Sequence, residues 1–179
     1  MIDKHTGCFH SPFLIFIKGV NHLSDIEILQ LLGLQNIEIR DFEKETDFYL
    51  RVTRDKEWIH IMDNWLYSLW QSDDFQHRVD KLGEKYDIFY CSVGDSDDGF
   101  DFTYYENGKL RRKYLVSDYF THLEITQNIG NPLPFEEDNL KKLDELGKVI
   151  SIAKSIGIEI NHKLENIVCY QYEHAFIED

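Results

Sequence analysis

Residues 94–116, which read GDSDDGFDFTYYENGKLRRKYLV, carry the strongest fold signal in this sequence. The stretch opens with an acidic turn and ends in a basic cluster. Between them, Asn107-Gly108 separates two runs of strand-forming residues, an arrangement typical of a β-hairpin. The stretch therefore predicts two antiparallel strands that follow an acidic turn.

The loop length decides which side chains of this hairpin share a face. A two-residue loop pairs Tyr104 with Arg111 and mixes aromatic with charged side chains. A three-residue loop, residues 106–108, pairs Tyr105 with Lys109 instead. One face then becomes almost wholly apolar, with Phe100, Phe102, Tyr104, Leu110 and Tyr114. Because a buried face specifies the register strongly, the pattern predicts the three-residue loop.

Arg112 is the exception on this apolar face, where the predicted register places it opposite Phe102. An unpaired charge in a protein core is very costly. Three interpretations follow. Arg112 lies at a rim with its head in water, or it forms a buried pair with an aspartate of the acidic turn, or it binds a ligand. The candidate aspartates are Asp95, Asp97 and Asp98.

Alternation, capping signals and helical periodicity predict further elements on both sides of the hairpin. Strands are predicted at residues 14–18, 37–40, 48–53, 57–62, 88–93 and 167–172. Helices are predicted after a capping box at Ser24–Glu27, from Asp63 to Trp70, from Ser72 to Tyr86, and from Glu136 to Gly157. Residues 115–126 are ambiguous. The pattern indicates one α+β domain over residues 1–179, with helices on a mostly antiparallel sheet and a loosely ordered segment at residues 1–12.

The charge of the chain bears on its partners. Among 179 residues, 33 are acidic and 19 basic, which gives a net charge of −14. Such a field repels phosphate backbones, so nucleic-acid binding is disfavoured and a basic partner is favoured. Acidity that serves solubility alone is the other interpretation. The sequence has no charged-then-apolar leader and no run of 18 apolar residues, so we expect a cytoplasmic protein without a membrane segment.

No pattern in the sequence indicates a catalytic centre, a metal site or a cofactor. The acidic turn fails the spacing of a calcium loop, since a glycine at the sixth position, Gly99, would make Gly94 the first ligand. The three cysteines lie far apart, which argues against a disulfide framework and a zinc ribbon. An alternative function is a small enzyme or ligand-binding domain whose pocket is lined by Trp58, His60 and Arg112.

Several motifs are similar to those of a set of small bacterial proteins. The motifs are DNW at residues 63–65 followed by LW at 69–70, GDSD at 94–97, FDF at 100–102, YENG at 105–108, RKY at 112–114 and NIGNPLP at 128–134. In that set, a GDSD-x-x-FDF-x-YY-x-x-G-x-L-x-RKY core precedes a Gly-x-PLP turn and a helix. The resemblance covers residues 57–158, and no catalytic residue comes with it. Proteins of this kind resemble the immunity proteins encoded beside polymorphic or contact-dependent toxins.

The resemblance implies an immunity protein that neutralises a cognate toxin domain. An acidic surface would mimic the polyanion that a basic nuclease cleft binds, so the charge favours a nuclease toxin. Contacts with the toxin are expected at six carboxylates: Asp73, Asp74, Asp95, Asp97, Asp98 and Asp101. The sequence does not indicate the oligomeric state.

Overall fold

One antiparallel sheet contains every described strand of this chain. A computed structural model describes residues 13–40, 49–63, 73–93, 99–119, 122–134, 136, 140–141, 143–158 and 166–173. The strands are β1 (Phe13–Lys18), β2 (Gln35–Ile39), β3 (Tyr49–Asp55), β4 (Trp58–Asp63), β5 (Asp87–Val93), β6 (Phe100–Glu106), β7 (Lys109–Tyr119), β8 (His122–Gly130) and β9 (Val168–Glu173). The helices are α1 (Asp25–Leu31), α2 (Asp73–Gly83) and α3 (Glu145–Ser155). The strand order is β2-β9-β3-β4-β1-β5-β6-β7-β8, so the predicted α+β class is confirmed.

The two faces of the sheet hold separate hydrophobic cores. Helix α3 packs on one face, here called the α3 face, while α1 and α2 pack on the other, here called the α2 face. Strand β4 illustrates the division. Trp58 and Met62 belong to the core of the α3 face, while Ile59 and Ile61 belong to that of the α2 face, as their alternation predicts.

Local sequence signals predict the start of α1 and the buried side of α2 correctly. The Ser24 hydroxyl accepts a hydrogen bond from the Glu27 amide, and the Glu27 carboxylate accepts one from the Ser24 amide, so the predicted capping box is present. In α2, the predicted apolar side chains Phe75, Val79 and Leu82 are all buried. The predicted helix from Asp63 to Trp70 lies, apart from Asp63 at the end of β4, outside the described residues.

The long helix predicted from Glu136 to Gly157 is wrong in its continuity. Glu136, Leu140 and Lys141 are helical, but Leu143 and Asp144 are not. Asp144 is instead the N-cap of α3, since its carboxylate accepts the amide of Gly147 at 2.7 Å. Asp144 lies between the apolar positions of the predicted repeat, and because its side chain suits an N-cap, a new helix begins after it. Of the ambiguous residues 115–126, residues 115–119 lie in β7 and residues 122–126 in β8.

The hairpin between β6 and β7 differs from its predicted register. Asn107 and Gly108 both have positive φ, 53° and 75°, and Glu106 pairs with Lys109, which is a two-residue loop of the type that Asn-Gly favours. The predicted three-residue loop is therefore wrong. A β-bulge then inserts Arg111, after which Tyr104 pairs with Arg112.

The bulge restores the apolar face that the two-residue loop alone would disrupt. Phe102 pairs with Tyr114 and Phe100 with Val116, and all four are buried. Leu110 was predicted to share this face, but it lies before the bulge, pairs with Tyr105 and is exposed. The bulge thus accommodates both the turn chemistry and the buried face.

Gly130, the last residue of β8, packs against this bulge. Its φ is 83°, and a Cβ built on it would overlap the carbonyl oxygen of Arg111. Both the backbone conformation and the close approach favour glycine here. The end of β8 therefore fixes the position of the bulge beside Arg112.

Replacing Gly130 by alanine is expected to destabilise the protein by about 3 kcal/mol, because the added Cβ overlaps backbone and the left-handed conformation is itself unfavourable. Urea unfolding measures the loss. Gly157→Ala is the matched control, since Gly157 has φ 88° but its added Cβ would meet no described heavy atom within 4 Å. It should cost only about 1 kcal/mol. Equal losses in the two variants would contradict the role of close packing at Gly130.

Candidate functional site

Arg112 forms a buried ion pair with Glu136. The bulge directs its side chain into the α3 face, where it is 2% exposed. Its Nε lies 3.0 Å from each carboxylate oxygen of Glu136, which is 1% exposed. The rim interpretation of Arg112 is therefore wrong. Its anionic partner is Glu136, which follows the Pro-Leu-Pro segment in sequence.

Further contacts surround this ion pair. Arg112 Nη1 donates to Asn128 Oδ1 at 2.6 Å and to the carbonyl oxygens of Ile129 at 3.1 Å and Gly130 at 3.3 Å. The Glu136 carboxylate also accepts the amide of Leu133 at 2.8 Å. Both charges therefore have several partners within the chain. The network connects β7 and β8 to the segment that leads toward α3, and its geometry favours a structural role over ligand binding.

Trp58 and His60 lie in the core of the α3 face, far along the sheet from Arg112. Both are buried, and the His60 ring meets the Phe16 ring edge-on with 4.7 Å between centroids. Three strands separate β4 from β7, so the two strands stand about 19 Å apart at the usual strand spacing. The three residues predicted to line a pocket share one face, but the structure does not bring Arg112 together with the other two.

Asp101 lies half-buried on the α2 face beside Ser92 of β5. The Ser92 hydroxyl donates a hydrogen bond to its carboxylate. Burial raises the pKa of Asp101 to about 6, an effect that the Ser92 hydrogen bond and the charge of Lys113 oppose. Asp101 was predicted as a contact residue of the acidic turn, and in the structure its carboxylate also connects β5 to β6.

Helix α2 crosses the sheet so that its first turn faces the half of β5 that ends at Val93, while Asp80 contacts Tyr105 nearer the other end. Gln76 in that turn accepts a hydrogen bond from the Tyr90 hydroxyl of β5 at 2.9 Å. Strand β5 then runs to Val93, and β6 starts at Phe100, opposite Val93. The end of the sheet where β5 ends and β6 begins is here called the acidic end. Asp101 lies at this end, and the segment that contains Asp95, Asp97 and Asp98 connects the two strands there.

The six predicted contact residues differ in what the structure describes of them. Asp74 is half-exposed and forms an ion pair with Arg78, at 2.7 Å. Asp73 begins α2, but its side chain is outside the description. Asp95, Asp97 and Asp98 lie outside the described residues.

Acidic and basic residues are distributed unequally between the two ends of the sheet. Residues 41–48, which lead into β3 at the acidic end, and residues 94–98 together contain seven acidic residues and one lysine. At the opposite end, acids pair with bases. Lys18 contacts Glu57 at 2.8 Å, and Arg111 contacts Glu106 at 3.1 Å.

All six arginines of the chain make contacts within it. Four form ion pairs with carboxylates, and the guanidinium groups of the other two, Arg40 and Arg51, lie over the Tyr49 ring at 4.9 and 5.3 Å. The ion pairs are Arg54–Asp25, Arg78–Asp74, Arg111–Glu106 and Arg112–Glu136. Guanidinium groups are the usual bidentate ligands of phosphate. In this chain each of the six contacts a carboxylate or an aromatic ring.

Sequence reasoning missed the polar contacts that join distant elements. Glu136 was predicted only as a residue of a helix start, and Asn128 had no assigned role. Tyrosine hydroxyls of the sheet also bind polar side chains of the helices, as where Tyr170 donates to Asp25 at 3.0 Å. No local signal marks such pairs, because their partners are far apart in sequence.

Comparisons with protein-family models, with curated proteins and with solved structures found no match to this chain. Within the residues that the structure describes, no three metal-binding side chains cluster as a metal site would require. None of the described helices has the length and apolar character needed to cross a bilayer.

Removing one member of the buried ion pair is expected to destabilise the protein by about 3–5 kcal/mol, because the remaining charge stays buried without its partner. Glu136→Gln tests this, since glutamine keeps an acceptor for the Leu133 amide. The double variant Arg112→Met/Glu136→Gln should recover part of the loss. Urea unfolding of the two single variants and the double variant measures the coupling free energy. Additive losses would contradict direct coupling between the two side chains.

Asp101 is expected to make stability depend on pH in an unusual direction. Because its pKa is raised to about 6 from 3.8, the folded state binds the proton more tightly than the unfolded state. Its contribution to the free energy of unfolding therefore falls as the pH rises from about 4 to about 6. Asp101→Asn removes this titration but keeps an acceptor for Ser92, so it should stabilise the protein by about 2 kcal/mol at pH 7 and by little at pH 4. Urea unfolding across this range checks the prediction, and a constant difference between variant and parent would contradict it.

Proposed function

We propose that this chain is a cytoplasmic immunity protein that binds a cognate bacterial toxin domain through its acidic end. The toxin would be a basic protein, with a nuclease as the favoured class. The observation that carries the proposal is that two acidic segments connect to strands at the same end of the sheet. Residues 94–98 connect the end of β5 to the start of β6 there, and residues 41–48 lead into β3 at that end.

The distribution of ion pairs supports this assignment. Because the chain has 33 acidic residues and 19 basic ones, one-to-one ion pairs would still leave 14 carboxylates in excess. The described ion pair of Asp74 and the half-burial of Asp101 make both residues weak contact candidates. We therefore assign the main contact to Asp95, Asp97 and Asp98.

Electrostatic complementarity explains how such an end would recognise a toxin. A cluster of like charge at one end of a molecule attracts an oppositely charged patch over a Debye length of about 8 Å at physiological ionic strength. This attraction accelerates encounter and orients the partners before contact. Nuclease clefts carry basic residues that bind phosphates, so an acidic end would compete with the nucleic acid for the cleft. The same field gives this chain no affinity for nucleic acid itself.

Charge removal at the acidic end should slow association with the toxin. The triple variant Asp95→Asn/Asp97→Asn/Asp98→Asn is expected to lower the association rate about tenfold at low salt, because the charges that steer the encounter are lost. Surface plasmon resonance against the toxin domain encoded beside this gene measures the rate. Added salt should slow the parent protein steeply and the variant less. In cells, the variant should fail to restore growth when co-expressed with the toxin.

A control variant removes the same number of charges elsewhere. Glu57→Gln/Asp80→Asn/Glu84→Gln changes three exposed carboxylates toward the opposite end of the sheet and gives the same net charge, and the asparagine keeps an acceptor for the Tyr105 hydroxyl. Its association rate should stay close to that of the parent. Equal slowing by both variants would show an effect of net charge without a defined contact. A salt-independent complex, or no complex with any neighbouring gene product, would contradict the proposal.

A further inference from the structure

The hairpin of β7 and β8 projects beyond the neighbouring strands β5 and β6 at the acidic end. The last pair between β5 and β6 is Val93 with Phe100, and at the same level Phe100 pairs with Val116 and Val116 with Ile125. Pairing of β7 with β8 continues for three further residues on each strand. At about 3.3 Å per residue, the hairpin therefore extends about 10 Å past the two strands that residues 94–98 connect.

Two apolar side chains are exposed on one face of this β7–β8 hairpin. Leu123 is 53% exposed and Ile125 is 54% exposed, and the two residues are here called the β8 patch. Ile125 pairs with Val116, which belongs to the core of the α3 face, and Leu123 lies two residues away, so both side chains lie on the α3 face. The main contacts of α3 are with β5 and β6, and the exposure of the β8 patch shows that β8 extends past the cover of this helix.

Carboxylates outnumber bases in the segments next to the β8 patch. Residues 117–125 contain two acidic residues and no lysine or arginine, and residues 94–98 contain three aspartates and no base. Lys148 also lies at this end of the sheet, with its ammonium 5.2 Å from the centre of the Phe100 ring, but it contacts the Glu145 carboxylate at 2.9 Å. The patch therefore stands in a local excess of negative charge.

Apolar side chains with a charged margin are the usual composition of a protein-binding surface. A few buried apolar contacts supply most of the binding free energy of such a complex, while complementary charge selects the partner. An acidic margin repels a second copy of this chain, whose net charge is −14, and attracts a basic protein. The charge next to the β8 patch therefore favours the same class of partner as the acidic end does.

We propose that Leu123 and Ile125 are the apolar anchors of the toxin interface. The inference rests on the proposed function, since the partner is the same basic protein. Side chains two residues apart on a strand stand about 7 Å apart, so the partner would offer an apolar pocket of that length beside its basic surface. The two parts of the surface then have different roles. The carboxylates of residues 94–98 accelerate association from a distance, whereas the anchors act only in contact and slow dissociation.

The dissociation rate of the complex tests the anchors. Leu123→Ala/Ile125→Ala should raise the rate of dissociation from the toxin domain encoded beside this gene about 100-fold, at about tenfold for each anchor. The association rate and its dependence on salt should stay close to those of the parent, because no charge is removed. Surface plasmon resonance measures both rates.

A matched control truncates two other exposed isoleucines, Ile39 and Ile129. Ile39 is 69% exposed on β2, and Ile129 is 50% exposed on β8, where it pairs with Lys113 on the α2 face. Ile39→Ala/Ile129→Ala should leave both rates unchanged. Hydrogen exchange of the parent gives a second readout that needs no variant. Amides of residues 122–125 should exchange more slowly when the toxin domain is bound, whereas those of residues 35–39 should not change.

The outcomes separate the anchors from the proposed function. A complex that Leu123→Ala/Ile125→Ala does not weaken, that the control weakens equally, or that leaves residues 122–125 without protection overturns the anchors and leaves the acidic contact standing. Faster dissociation of the variant, together with an association rate that salt does not change, supports the anchors and contradicts electrostatic steering. No complex contradicts both. Should the parent alone form a dimer in sedimentation velocity that the variant abolishes, the β8 patch belongs to a second copy and the inference is overturned.

Discussion

The buried pair of Arg112 and Glu136 is the interaction on which the α3 side of this structure depends. A guanidinium and a carboxylate that are both almost fully buried cannot separate without a large desolvation penalty. The pair and its neighbours therefore require β7, the end of β8 and the Pro-Leu-Pro segment to adopt one relative arrangement. An apolar pair could give equal stability. We infer that the charged pair selects this arrangement over others in which the same apolar surface is covered.

The position of Arg112 follows from a conflict between two local preferences. Asn107-Gly108 favours a two-residue turn, whereas burial of Phe102 and Tyr114 on one face requires a different register. The bulge at Arg111 satisfies both, at the expense of directing one arginine inward. Each preference could be predicted from the sequence, but their combination could not, because a bulge has no signature of its own. A three-residue loop alone would also have placed the aromatic residues on one face, but the prediction of that loop is wrong.

Predictions from sequence succeeded where neighbouring residues determine the outcome. The capping box of α1, the apolar spacing of α2 and the alternation of β4 all depend on residues within a few positions of one another. The ion pair of Asp74 with Arg78 has the spacing of one helical turn, so the sequence could have indicated it. The hydrogen bond between Ser92 and Asp101 could not be predicted, because it depends on strand register. Contacts between distant segments account for most of what the sequence left open.

The separation of charge along this molecule links its fold to its proposed partners. At one end of the sheet, acidic and basic side chains form ion pairs. The segments that connect to the other end, residues 41–48 and 94–98, contain seven acidic residues and one lysine. Because electrostatic forces decay over about one Debye length, each surface is recognised by its local charge and not by the total of −14. The acidic end then favours a basic protein, whereas the end where acids pair with bases offers such a partner little attraction.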